Sequence, residues 1–186
     1  MSPVEIVELD AAGVQAAVGE LADVLADCVN GGASVNFMLP YSATDAVQFF
    51  RKVAAAMERG EIVLLAAKVD GRILGTVQLG LDMPPNQQHR GEIKKLLVHR
   101  DARDRGVGAA LMQRIEEIAK ERGCTLLVLD TANDSAERLY TRWLAAARQH
   151  SGLRDVAAGR HLRHRHLLEE DLIRRPCPLA RLPSRA

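Results

Sequence analysis

The chain reads as an α/β protein, a mixed α+β sheet built in the order β-α-α-β-β-β-α-β-α. Three observations predict it. Two apolar, β-prone runs, 62–69 and 72–79, flank Asp70-Gly71, a pair suited to a two-residue hairpin turn. Arg103-Asp104-Arg105-Gly106-Val107-Gly108-Ala109 is a glycine-rich turn between a strand-like run and an amphipathic run. After Gly123, Thr125-Leu126-Leu127-Val128-Leu129-Asp130 is a short apolar run of the kind found in buried parallel strands.

Each element follows from local chemistry. Residues 4–9 read as a first strand, and 11–29 form a helix stopped by Asn30-Gly31-Gly32. Thr44-Asp45 caps a second helix that runs to about Arg59, with Gly60 closing it. The 62–69 and 72–79 hairpin follows, then a breaker-rich loop, Met83-Pro84-Pro85-Asn86-Gln87-Gln88. Residues 92–99 read as the next strand. Val107, Ala110, Leu111, Ile115, Ile118 and Ala119 recur at helical spacing, which lays one apolar stripe against the sheet. A last helix covers 133–140.

Composition narrows the function. With 186 residues and 47% hydrophobic content, the chain has room for one domain with a sizeable core. A formal charge of +1 supplies no global field for nucleic acid, so no nucleic-acid partner is expected. No run approaches the roughly 18 apolar residues of a membrane span, and the N-terminus has no basic-then-apolar signal, so the expectation is a cytoplasmic protein with no membrane partner. Cys28, Cys124 and Cys177 show no metal or disulfide spacing and read as buried or incidental thiols. No metal is expected.

The turn at 103–109 carries the chemistry. A glycine-rich turn entering a helix presents unpaired backbone N–H groups, and the helix dipole favours an anion there. It is not a P-loop, because Ala109-Ala110 follows Gly108 where Lys-Ser/Thr is needed. It is not a dinucleotide fingerprint either, because Leu111 stands where a third glycine belongs. A solvated basic turn is the plainer reading.

Arg103, Gly106, Gly108 and Ala109 fit Arg-x-x-Gly-x-Gly/Ala, and Asn133 to Tyr140 fits Asn-x-x-Ala-x-x-x-Tyr. On these motifs the chain resembles the GCN5-related N-acetyltransferase (GNAT) family. The loop Gly31-Gly32-Ala33-Ser34-Val35-Asn36-Phe37-Met38 is similar to that of the branch containing tabtoxin-resistance acetyltransferases. The likeness covers about residues 4–142 and implies the acyl-CoA acyltransferase fold up to its last two strands. It implies acetyl-CoA as co-substrate and transfer of its acetyl group to an amine or hydroxyl of a small-molecule acceptor, by direct attack with a general base. The partner is that small molecule, and the protein is a monomer or homodimer.

Residue roles come from the same resemblance. The backbone around Arg105, Gly106, Val107, Gly108 and Ala109 is expected to hold the coenzyme pyrophosphate, with Arg103 and Arg105 adding charge-assisted bonds. Leu97 and Val98 lie where the family's strand bulges and frees main-chain groups for the pantetheine arm, and Asn133 contacts that arm; ordinary core packing is compatible with both. Glu92 and Asp130 are candidate bases, or a strand-end charge and a helix cap. Tyr140 either protonates the departing thiolate or only packs. Gly32, Ser34, Asn36, Phe37 and Gln78 are expected around the acceptor. His99 reads as a surface histidine. The other reading of the protein is a non-catalytic acyl-CoA-binding module, or an inactive frame-shifted acetyltransferase.

That last reading comes from the tail. Residues 142–186 hold 10 of the 20 arginines and 4 of the 6 histidines, with no lysine and no aromatic after Trp143. Domain boundaries are therefore set at 1–142 for the acetyltransferase domain and 143–186 for an atypical Arg/His-rich tail, disordered or poorly packed, in which the last two family strands are missing or replaced. Rereading the tail from the second nucleotide of each codon permits family-like stretches, which points to a shifted frame; a natural Arg/His-rich tail is the alternative. Under the shifted frame His161, His164 and His166 are by-products, and no metal is assigned to them.

Overall fold

A computed structural model of the chain describes residues 3–33, 35–131 and 155–160. Its core is a six-stranded sheet in the order β1-β2-β3-β4-β5-β6: β1 (Glu5–Leu9), β2 (Ile62–Val69), β3 (Arg72–Gly80), β4 (Arg90–Val98), β5 (Leu126–Thr131) and β6 (Asp155–Arg160). β1 to β4 pair antiparallel, while β4, β5 and β6 run parallel. Helices α1 (Ala11–Ala16), α2 (Val18–Asn30) and α3 (Ala43–Glu58) cover one face, and α4 (Val107–Glu121) covers the other. The predicted α/β class with a mixed sheet is what forms.

Two hydrophobic clusters fill the space between layers. Val63, Leu65, Val77, Leu79 and Ile93 meet Leu111, Met112, Ile115 and Ile118 of α4. Leu64, Ala66, Ile73 and Leu97 meet Leu21, Leu25, Phe50 and Val53 of α2 and α3. Adjacent residues of β2 and β3 thus feed opposite cores, and both strands are buried on both faces. The Asp70-Gly71 turn forms as expected, with φ of 53° and 78°.

Local differences have local causes. The 11–29 helix is interrupted at Ala17 (φ −99°, ψ 13°), between Gly13 and Gly19, whose weak helical preference lets the backbone relax. The cap of α3 is Ser42, two residues before Thr44: its hydroxyl accepts from the Asp45 N–H at 3.1 Å and donates to the Asp45 carboxylate at 2.6 Å. In the tail, where the last two family strands are expected to be missing or replaced, β6 pairs with β5 in register from Leu126↔Asp155 to Thr131↔Arg160 and gives the Asp130 strand an outer neighbour. Among the described residues, no helix is long and apolar enough to cross a membrane.

Candidate active site

The site begins where two parallel strands part. β4 and β5 are in register from Arg90↔Leu126 to Ile93↔Leu129, and the pairing ends there, whereas β5 stays paired with β6 to Thr131. The second half of β4, from Lys94 to Val98, therefore has no pairing with β5. It also bulges: Gln78 faces Lys94 but Thr76 faces Leu97, so Lys95 and Leu96 together stand against Val77, and Lys95 takes φ 49°. The extra residue reverses side-chain parity, which puts Ile93 in the α4 core and Leu97 in the α2–α3 core.

The bulge lies two residues before the expected position. Leu97 and Val98 are paired with Thr76 and Gly75, and the Val98 carbonyl accepts from the Cys28 thiol at 3.4 Å. Strict alternation would put Ile93 and Leu97 on one face and Leu96 on the other; the bulge instead groups Leu96 with Ile93 on the α4 side and turns Leu97 to the α2–α3 core.

Beyond β4 the chain makes one 3-10 turn (Arg100–Ala102), and Asp104 and Gly106 then take φ of 59° and 79° before α4 starts at Val107. Gly106 is the N-cap and supplies no side chain; the first turn holds no acidic residue, and the first helical bond runs from the Ala110 N–H to the Gly106 carbonyl at 3.0 Å. The amides of Val107, Gly108 and Ala109 thus have no partner one turn earlier in the helix, as an anion cradle requires. Gly75 of β3 lets this end of α4 approach the sheet: a Cβ there would lie 2.7 Å from Val107 Cγ1.

The two arginines are placed around the turn. Arg105 Nη2 lies 3.6 Å from Asp70 Oδ2 on the hairpin. The Arg103 guanidinium sits beside Gly31 and Cys28, at the carbonyl end of α2, where the helix dipole favours a cation.

His99 is not on the surface. It is 9% exposed, with Nε2 3.8 Å from Asp27 Oδ1 and 4.0 Å from Asp23 Oδ2, and its Nδ1 accepts from the Asp101 N–H at 3.2 Å. Both aspartates come from α2, more than 70 positions away in sequence, so nothing local signals the burial. Asp27 also accepts from the Arg100 N–H at 3.0 Å and from the Arg100 guanidinium, which ties α2 to the entrance of the turn. Burial alone would raise the Asp27 carboxyl, but the Arg100 backbone N–H and side chain, with His99, hold it below the ordinary carboxylate range.

A depressed carboxyl stabilises the fold above its unfolded-state pKa, about 3.9, and that contribution disappears as pH falls through the folded value. Asp27→Asn should therefore be less stable than wild type at pH 7, and the gap in urea midpoint should close as pH drops below about 4. A gap that stays constant down to pH 2.5 would contradict the linkage.

The opposite wall is the loop between α2 and α3. Phe37 packs on Tyr41 (centroids 4.6 Å) and edge-on against Phe49 (5.3 Å), and Lys95 Nζ lies 4.7 Å above its ring while donating to the Val35 carbonyl. Burial pushes the Lys95 ammonium below its usual value, with Lys94 adding to that and Glu92 opposing it. Gly32 (φ 87°) and Asn36 (φ 64°) are exposed in the same loop.

The floor is polar. Glu92 forms a 2.6 Å ion pair with Lys94, both half-exposed, so the candidate base sits in a cationic setting rather than an apolar one. Gln78 is 2% exposed and its Nε2 has no hydrogen-bond partner, and the neighbouring Thr76 Oγ1 is equally buried and unpartnered. Lys95 and Thr76 are additions to the predicted set; Thr76-x-Gln78 alternation inside an otherwise apolar strand was their signal.

Asp130 lies on β5 one residue past the last β4 pair, opposite Gly159 of β6. Ser34, Asn133 and Tyr140 lie outside the described residues, as do His161, His164 and His166. Among the described residues, no group of three His, Cys, Asp or Glu side chains is arranged to hold a metal ion. Cys28 and Cys124 are buried thiols, both pushed up by burial, with Asp27 adding to the effect at Cys28.

Comparison with known proteins finds the same fold. An N-acetyltransferase from Staphylococcus aureus superposes with a TM-score of 0.62 at 20% identity, covering 76% of this chain and 82% of that one. The acetyltransferase yncA of Salmonella typhimurium, solved with its cofactor acetyl-CoA, gives 0.61 at 17% identity, covering 76% and 79%. Acetyltransferase plu1384 of Photorhabdus laumondii is 36% identical over 78 residues, 42% of this chain and 51% of that protein. Acetyltransferase ECA0875 of Pectobacterium atrosepticum is 38% identical over 82 residues, 43% and 55%. The chain spans about half the length of these curated relatives. Residues 35–145, well over half of the chain, match the Acetyltransferase (GNAT) family, and the matched span ends just past Trp143, where the tail changes character; the chain belongs to that family.

Proposed function

We propose that this protein is an acetyl-CoA-dependent acetyltransferase acting on an amine or hydroxyl of a small-molecule acceptor. The observation that carries the reading is the uncapped start of α4 beside the parting of β4 and β5. The Val107, Gly108 and Ala109 amides hold a pyrophosphate there, with Arg103 and Arg105 flanking it. Acetyl-CoA supplies an activated acetyl thioester. Glu92, one residue before the strands part, takes the acceptor proton directly or through water as the nucleophile attacks. The new bond to the carbonyl carbon replaces the C–S bond, and the departing thiolate takes up a proton; Asp130 as a second base and Tyr140 as the acid follow from the family resemblance.

The acceptor pocket combines Gly32, Ser34, Asn36 and Phe37 with Gln78. The likeness of this loop to tabtoxin-resistance acetyltransferases supports a small amine-bearing acceptor. A thiol-release assay over a panel of amines and amino acids, run beside a direct acetyl-CoA titration, tests the reading. Turnover is expected. Binding without turnover favours a non-catalytic acyl-CoA module, and a folded chain that does not bind overturns both.

A further inference from the structure

We infer that Thr76, Gln78 and Lys95 form a subsite for a carboxylate, so that the acceptor is an amine carrying a carboxyl group. The inference rests on the acetyltransferase reading and names the class of its acceptor. Thr76 and Gln78 are cross-strand partners of Ala66 and Leu64, which belong to the α2–α3 core, so both polar side chains face that layer. Across from them, the bulge places Lys95 against the Val77 position between the two. Lys95 reaches the same layer, where its ammonium meets the Val35 carbonyl and the Phe37 ring. Three donors thus come from adjacent positions on one face of the sheet.

None of the three is fully satisfied. Thr76 is 0% and Gln78 2% exposed, and the Thr76 hydroxyl and Gln78 amide nitrogen lack hydrogen-bond partners. Leaving such groups unpaired is costly, and buried polar atoms without partners are uncommon in folded proteins. Lys95 uses one donor on Val35, and it is half-buried with another lysine next in sequence. A neutral carbonyl would answer the amide and hydroxyl but not the excess positive charge. A carboxylate answers all three: it accepts from Gln78 and Thr76 and compensates the lysine. The Glu92–Lys94 pair lies farther along the same face, since Glu92 is the partner of Gly80 and Lys94 of Gln78, which leaves a carboxylate-bound acceptor free to direct its amine toward Glu92.

The test uses the full chain and matched acceptors: each amino acid, its carboxamide, and the amine lacking the carboxyl group. Wild type should favour the carboxylate in kcat/KM by about tenfold or more, the size of one charge-assisted hydrogen bond. Thr76→Val and Gln78→Leu should bring that ratio toward one and, without ligand, raise the denaturation midpoint because each removes an unpaired buried polar atom. Equal turnover of all three acceptors by wild type overturns the subsite, as does a lowered midpoint in both variants. Acetate followed by NMR titration of Lys95 supplies an arm that needs no turnover. It should raise the Lys95 titration midpoint in wild type and leave it unmoved in Gln78→Leu; no rise in wild type sinks the inference. If no acceptor is acetylated, the acetyltransferase reading falls and the acetate and denaturation arms still decide the subsite.

Discussion

Gly75→Ala is expected to destabilise the protein by about 1–3 kcal/mol and to weaken acetyl-CoA binding more than a loss of stability explains. The added Cβ would sit 2.7 Å from Val107 Cγ1, 3.2 Å from Leu111 Cδ1 and 3.3 Å from the Leu97 carbonyl. None of these can step aside easily. Val107 is 1% and Leu111 0% exposed, and the Leu97 carbonyl belongs to the β4 backbone. Relief therefore comes from lifting the first turn of α4 off the sheet. That turn begins at Val107, so the three amides of the anion cradle move with it. The measurement pairs a urea denaturation curve with an acetyl-CoA titration at a temperature where the variant is fully folded. Gly19→Ala is the control: it lies in α2 with nothing within 4 Å of the new Cβ, and a helical Gly to Ala change should hold or raise stability by up to about 1 kcal/mol. Unchanged coenzyme affinity in folded Gly75→Ala would show that the cradle does not depend on this packing.

How far the sequence discloses this architecture depends on whether the determining contacts are local. The Asp70-Gly71 hairpin was readable because two adjacent positive φ angles demand that residue pair. The Gly106 turn was readable for the same reason, since a left-handed N-cap position without a side chain favours glycine. Ser42, Thr44 and Asp45 are all good capping residues within one turn of each other, so the sequence alone does not select among them. The bulge was expected at Leu97 and Val98 and occurs at Lys95, where burial of Ile93 and Leu96 on one face and Leu97 on the other requires an extra residue. His99 could not be read from its neighbours at all. Its Nε2 lies near Asp23 and Asp27 of α2 across the fold, and sequence spacing carries no trace of that meeting.

The acceptor side is subject to the same reasoning. Glu92 and Gln78 were legible as polar residues on apolar strands, but their environments were not. Glu92 is paired with Lys94, which passes over Gly80, whereas Gln78 is buried with its amide nitrogen unpaired. One carboxylate is thus held charged-partner to charged-partner at a half-open edge, and one amide is held waiting beneath the loop. Local pattern offers both as candidates, and only the packing separates a paired carboxylate at an open edge from a buried, unpaired amide.

Phe50→Ala should cost about 3–5 kcal/mol, the range for truncating a fully buried aromatic. Phe50 is 0% exposed among Leu21, Leu25 and Val53, so removal of the ring leaves a cavity that α2 and α3 cannot close without sliding on the sheet. The consequence extends beyond stability. Phe50 contacts Phe49 edge-on at 5.1 Å, Phe49 contacts Phe37 at 5.3 Å, and Phe37 carries the Lys95 ammonium 4.7 Å above its ring. This row of rings connects the hydrophobic core to the loop over the bulge. Phe49→Ala breaks the row nearer the loop while leaving Phe50 in place, so it should cost less stability and disturb the loop as much. The discriminating measurement is hydrogen exchange of residues 35–41 alongside urea denaturation of both variants. If loop protection followed global stability alone, Phe50→Ala would show much faster loop exchange than Phe49→Ala. The aromatic connection predicts comparable acceleration in both, with KM for the acceptor rising in both and the coenzyme cradle, anchored on the opposite face by Val107 and Leu111, responding only to the loss of global stability.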